Sequence, residues 1–218
     1  MTMGGACRFI SRYAELARSM YEQTGRGNLR EVAEICKKLA VSPAQTYQEA
    51  VQAVWFLYVI LQMEGNASSF SPGRMDQYLY PYFTHSRAHG MTLEDALEIT
   101  ECLWLKFNQL VYLRNSNSAK YFAGFPIGFN VAIGGQKLDG SDASNELSYL
   151  FLQAQAHLLR PQPNLSRRRS FGRRRPASLP WAAACRRSST TRRSFPRWRR
   201  TASTTRTPST TRSWAAWS

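Results

Sequence analysis

The sequence predicts a mainly α-helical piece of an α/β protein, carrying one or two strands and followed by a segment unable to build a core. Apolar residues recur at helical spacing through most of the first 166 positions, interrupted by one Gly- and aromatic-rich extended stretch from Phe122 to Ile133. All fourteen acidic residues lie at or before Glu146, whereas fifteen of the 29 Lys and Arg residues lie between Arg167 and Arg212. The chain therefore divides into residues 1–166 and 167–218. Fourteen basic and fourteen acidic residues cancel in the first part, so the formal net charge of +15 belongs to the second.

In chain order, Phe9, Ile10, Tyr13, Leu16, Ala17 and Met20 define the inner stripe of one amphipathic helix. Leu29, Val32, Ala33, Cys36 and Leu39 define that of a second. Ser42 and Pro43 form an N-cap and first-turn pair for a third helix, through VQAVWFLYVILQME to a stop at Gly65. That helix is apolar around most of its circumference and is expected to be enclosed. Its most apolar run, Val51 to Leu61, is too short to cross a bilayer and contains Gln52. Thr92 and Asp95 form a capping arrangement for a long helix through LEDALEITECLWLKFNQLVYL, with Leu97, Cys102, Leu105 and Leu110 among its inward candidates. At least one strand is expected in FAGFPIGFNVAI, ended by Gly134 and Gly135. Asp142 or Ser144 then caps a helix through NELSYLFLQAQAHLL. A helix–strand–helix succession of this kind suits the edge of an α/β barrel.

Residues 167–218 contain no Lys, Asp, Glu, Ile, Val, Tyr or Asn and a single Leu. Ordering a residue costs roughly 1–2 kcal/mol of backbone entropy, and a segment this poor in aliphatic side chains and this self-repelling is expected to stay disordered. Arginine to the exclusion of lysine, with Ala, Pro, Ser and Thr, is also what GC-rich DNA yields when translated out of frame. Shifting the frame, with permissible synonymous codons, turns Ala184–Pro196 into MPAVFNDEAVIP and Pro208–Ser218 into LDYSIVGCVE. The nucleotide sequence decides this expectation: a gene with no frame encoding those peptides removes it.

The loop segment GNASSFSPGRMDQYLYPYF, Gly65 to Phe83, places Arg74 and Asp76 among Tyr78, Tyr80, Tyr82 and Phe83. Together with RNSNSAKYFAGFPIGFN, GGQKLDGSDASNELSYL and RPQPNLS, it resembles the pyruvate formate-lyase-like branch of the glycyl radical enzymes, over essentially Phe9 to Ser166. The resemblance implies a section of a ten-stranded α/β barrel around a buried site. It further implies a backbone glycine radical installed by a radical SAM activating enzyme, a thiyl radical on a central cysteine, a small-molecule substrate and a homodimer when intact. It also implies that a segment like GMPAVFNDE and then a GCVE motif should follow, and the shifted frame supplies both in that order. Formate C-acetyltransferase is the expected activity, with dehydratase, decarboxylase or amine-lyase chemistry as the alternative.

The chain departs from this pattern at the chemistry itself. Neither GCVE nor the C-terminal RVxGY glycine motif occurs in its 218 residues; in the shifted frame the cysteine codon straddles Ala215 and Ala216. No catalytic residue is therefore assigned, no bound cofactor is expected, and the product is expected to be inactive. Cys185 is no replacement, since it lies in AAACRRS with no enclosing barrel.

Five residues are substrate-pocket candidates. Arg74 and Asp76 have two readings: shaping a polar pocket for a small carboxylate or alcohol, since arginine offers a rigid fork of donors, or a salt bridge holding the loop. Ser116, Ser118 and Phe122 match a stretch that lines the substrate cavity in dehydratase-like members, or else form a loop cap. Cys7, Cys36 and Cys102 lack metal-type spacing and, with no signal peptide, favour a reducing cytoplasm. His85, His89 and His157 form no ligand set by spacing: the first two read as surface or loop residues, the third as helix packing. A function of another class, nonspecific nucleic-acid binding by the Arg- and Trp-containing tail, would show steep salt dependence and an intact gene frame.

Overall fold

A computed structural model of the chain describes residues 2–65, 70–110, 115–122, 130–160 and 162–168. The expectations for residues 169–218, Cys185 included, lie outside the described residues. Helix α1 (Thr2–Thr24) packs on α2 (Gly27–Leu39), burying Ala17 against Val32, Ala33 and Cys36. Phe56 of α3 (Tyr47–Gly65) closes this small core, its ring meeting Tyr13 edge-on at 5.4 Å. Leu16, expected on the inner stripe of α1, is exposed instead. It sits next to Ala17, the position that meets α2, and one residue of rotation on a helix is about 100°.

The expected start of α3 is also displaced. Ser42 and Pro43 precede the helix by a few residues, and its N-terminus is made by Thr46 and Glu49. The Glu49 amide donates to Thr46 Oγ1 at 3.3 Å, while the amides of Gln45 and Thr46 donate to Glu49 Oε2 at 2.7 and 3.3 Å. Lys38 Nζ reaches Glu49 Oε1 at 2.8 Å, which ties the end of α2 to the start of α3. The expected enclosure of α3 is incomplete in its second half, where Tyr58 is buried but three large apolar side chains are not. Leu57, Leu61 and Met63 remain 56%, 43% and 59% exposed.

The main core lies between α3, α4 (Met75–Tyr78), α5 (Tyr80–Ala88), α6 (Leu93–Phe107) and α8 (Glu146–Leu158), with α7 (Ser116–Phe122) between α6 and the first strand in sequence. Tyr47 is its pin. Its amide donates to Ser86 Oγ at 2.8 Å, and its hydroxyl lies 2.8 Å from Thr100 Oγ1. Thr100 donates its one hydroxyl hydrogen to the Ala96 carbonyl, so Tyr47 is the donor of the pair. Trp104, Phe107 and Phe151 fill the space between α6 and α8.

The Thr92–Asp95 capping box of α6 forms as expected. The helix is shorter than its apolar pattern, ending at Phe107, and residues 111–113 lie outside the described residues. Its inner face is Ala96, Ile99, Thr100, Leu103, Trp104 and Phe107; Leu97, Cys102 and Leu110 are half-buried and Leu105 is exposed.

Strands β1 (Asn130–Gly134) and β2 (Asn164–Arg168) pair in parallel from Asn130 beside Asn164 to Gly134 beside Arg168, with α8 as the crossover. Parallel neighbours need such a crossover because a tight turn cannot return the chain in the same direction. Of the expected extended stretch, Phe122 ends α7 and Asn130 begins β1, and residues 123–129 lie outside the described residues. On its far side β1 meets the Ser71–Gly73 segment, where the Ala132 amide donates to the Gly73 carbonyl at 3.0 Å and the Asn130 amide to Ser71 Oγ at 3.2 Å. Asn108, the C-cap of α6, donates to both the Trp104 and Gln162 carbonyls at 2.7 Å, which fixes the approach to β2. β2 continues two residues past the composition change at Ser166, through Arg167 and Arg168.

Candidate functional site

Just past the Gly73 bridge, Arg74 and Asp76 grip the carboxyl end of β1. Arg74 and Asp76 are the N-cap and second residue of α4, not residues of an irregular loop. They do not pair with each other. Both hold the peptide groups of Gly134 instead: Arg74 Nη2 donates to its carbonyl at 2.8 Å, and its amide donates to Asp76 Oδ2 at 2.6 Å. Arg74 Nη1 adds a long bond of 3.4 Å to the Gln136 carbonyl, and Gln77 Nε2 donates to the Ala143 carbonyl at 2.8 Å. In place of a salt bridge, one of the two readings of this pair, there are two grips on one residue.

The grip extends to α8. Asn145, rather than Asp142 or Ser144, is its N-cap, with Ser148 N–H donating to Asn145 Oδ1 at 2.9 Å and Asn145 N–H to Ser148 Oγ at 3.1 Å. Ser148 Oγ donates to Asp76 Oδ2 at 2.5 Å, and Asn145 Nδ2 donates to the Asp76 carbonyl at 2.7 Å. Asp76 thus joins α4, the end of β1 and the start of α8 while fully buried. Its Oδ1 and the Nε of Arg74 are buried polar atoms without a hydrogen-bond partner. Gly134 and Gly135 both have positive φ, 66° and 96°, which lets the chain turn sharply where Asp76 and Arg74 take hold.

Beside this clasp, Arg74, Gln77, Gln136, Lys137, Leu138 and Asp139 line an open cleft. Ser116 is exposed on α7, and none of the bonds to Arg74 or Asp76 comes from it. The side chains of Ser118 and Phe122 lie outside the described residues. A second, narrow apolar cavity lies between α3 and α6, with Trp55, Ile99, Cys102 and Lys106 on its wall. Burial, reinforced by Glu98 and Glu101, pushes the Cys102 thiol up to about 11. Burial lowers the Lys106 ammonium from its ordinary value. Cys36 is raised to about 12 by burial alone, so it packs as an apolar side chain.

His157 is exposed on α8 and its Nδ1 lies 2.7 Å from Glu101 Oε1, so it links α8 to α6 at the surface. Among the described residues no group of three or more His, Cys, Asp or Glu side chains could hold a metal ion, and no helix is long and apolar enough to cross a membrane. Sequence reasoning missed Gly134, Asn145 and Ser148 as partners of Asp76. A Gly-Gly pair ahead of a DASN cap cluster was the only local signal.

Helices packed against a parallel strand pair, with the strand's carboxyl end clasped by side chains from an earlier segment, give this chain the architecture of a section of an α/β barrel. It belongs to the pyruvate formate lyase-like family, whose model matches residues 1–185. The chain is 42% identical over 172 residues to the "Probable dehydratase YbiW" of Escherichia coli, covering 75% of this chain and 21% of the relative. It is 40% identical over 158 residues to an isethionate sulfite-lyase of Nitratidesulfovibrio vulgaris, covering 71% of this chain and 19% of that protein. The glycerol-bound B12-independent glycerol dehydratase of Clostridium butyricum superposes with a TM-score of 0.70 at 37% identity, covering 75% of this chain and 21% of that one. A glycyl radical enzyme from Archaeoglobus fulgidus gives a TM-score of 0.69 at 37% identity, over 74% of this chain and 22% of that one. The chain thus spans about a fifth of the length of these relatives.

Proposed function

We propose that this chain is a section of a glycyl radical enzyme of the dehydratase and lyase branch, cleaving a C–O or C–S bond in a small polar substrate, and that the 218-residue product has no turnover of its own. The observation that carries the reading is 42% identity to a dehydratase and 40% to a sulfite-lyase, together with structural likeness to a glycerol dehydratase. This favours the alternative expectation over formate C-acetyltransferase. The residues present position the barrel edge: Arg74 and Asp76 fix the turn after β1, and α8 delivers β2 beside it. No chemical step is assigned to them, because the GCVE and RVxGY motifs are absent from the sequence.

The intact enzyme is proposed to act in the cytoplasm as a homodimer, with a radical SAM activating enzyme as its partner. Its open reading frame is proposed to part from the present one near codons 164–169, with the radical cysteine encoded across Ala215 and Ala216. Two measurements test this. Anaerobic activation of the 218-residue chain should give no glycyl EPR doublet; a doublet accompanied by turnover would overturn the inactive reading. The gene product restored to the shifted frame should convert a polyol or sulfonate such as glycerol or isethionate. Turnover of pyruvate with coenzyme A instead would restore the acetyltransferase reading.

A further inference from the structure

His85 lies in the last turn of α5 and His89 is the C-cap that follows it, and their ring centroids lie 4.2 Å from each other at an interplanar angle of 31°. Residues four apart share a helix face, so both imidazoles project from one exposed patch at the end of α5. His89 Nδ1 lies 2.7 Å from the His85 carbonyl oxygen. A carbonyl can only accept, so this nitrogen carries the proton, and in the neutral ring the lone pair is left on Nε2. A ring N–H given to a backbone carbonyl is the arrangement that fixes the tautomer and ring orientation of metal-binding imidazoles. We propose that His85 and His89 form a two-imidazole site for a borderline divalent cation such as Ni²⁺, Zn²⁺ or Cu²⁺, bound through His89 Nε2 and a ring nitrogen of His85, with water completing the coordination.

The surroundings agree with this. A helix carboxyl end carries partial negative charge and favours a cation. The nearest charged residue in sequence, Arg87, lies two positions from each histidine and so on a different face of the helix, where its Nη1 donates to the Met91 carbonyl at 2.5 Å. Imidazole ligands suit these late transition metals and zinc, while hard oxygen-seeking cations such as Mg²⁺ find no carboxylate in the pair.

The test is calorimetric titration of the full 218-residue chain with Ni²⁺ alone, repeated on His85→Gln, His89→Gln and, as a control on another helix, His157→Gln. Unchanged far-UV circular dichroism in each variant shows that the helices remain. One equivalent is expected to bind, with either substitution in the pair weakening binding by about tenfold or more and His157→Gln leaving it unchanged. Nitrogen-15 NMR with Zn²⁺ should shift Nε2 of His89 while its Nδ1 proton persists. Binding that survives in the His85→Gln, His89→Gln double variant would overturn the proposal, as would the absence of one-equivalent binding or coordination through His89 Nδ1.

Discussion

Asp76 takes donors from two distant parts of the chain, the end of β1 and the start of α8, and its value to the fold is the number of elements it joins. Removing a hydrogen-bonded acceptor strands its buried partners, here the Gly134 amide and the Ser148 hydroxyl. Asp76→Ala is expected to cost about 2–4 kcal/mol, since each stranded group costs about 1–3 kcal/mol, read as a fall in the urea midpoint. Exposed Asp139→Ala should leave that midpoint almost unchanged. Glu49 gives a pH dependence. Burial alone would raise its carboxyl, but bonds from Lys38 and the Gln45 and Thr46 amides prevail and hold it below its ordinary value of 4.5. Its contribution is therefore complete above the unfolded-state value and is lost as the pH falls through the lower folded value. Acid unfolding of the parent chain should be steeper below about pH 4 than that of Glu49→Gln, whose side chain binds no proton in this range. Parallel acid profiles would remove Glu49 from the account.

At the level of elements, the capping boxes of α6 and α8 offer a controlled comparison. Thr92 caps α6 at the surface, whereas Asn145 caps α8 and also donates to the Asp76 carbonyl. Thr92→Ala should cost about 1 kcal/mol, the usual worth of an N-cap, and Asn145→Ala about twice that, measured by thermal or urea unfolding. Equal losses would show that the Asn145 bridge to Asp76 adds nothing. These same caps explain how much could be read from the sequence. Thr92 with Asp95 was legible because a capping box is a contact within four residues. Asp142, Ser144 and Asn145 are all competent caps, and Asp76, remote in sequence, favours the third. The start of α3 differs for another reason: Thr46 and Glu49 make a local contact of the same kind, but Ser42 and Pro43 offer a competing start just upstream. The buried stripes of α1, α2 and α6 were visible in outline. The hold of Arg74 and Asp76 on Gly134 was not, since nothing local distinguishes two charged residues that pair from two that take the amide and the carbonyl of one distant residue.

Across the whole molecule, the two cores are coupled through α3. Phe56 belongs to the α1–α2 core, while Tyr47, Val51 and Tyr58 of the same helix belong to the main one. Phe56→Ala should cost about 3–5 kcal/mol and loosen α1 and α2 before β1, so that their amides lose hydrogen-exchange protection first. Simultaneous loss in all three would mean that the cores unfold as one unit. The exposure of Leu57, Leu61 and Met63 fits a chain that spans about a fifth of its relatives' length. The pairing of Gly134 with Arg168 carries a different lesson. A parallel ladder is written in main-chain atoms, which are common to every amino acid, so a strand begun by Asn164 and Leu165 can be completed by residues of quite different character. Where amino-acid usage changes abruptly, the polymer itself goes on keeping step with its neighbour, and the border between two textual styles is no guide to the border of a folded body.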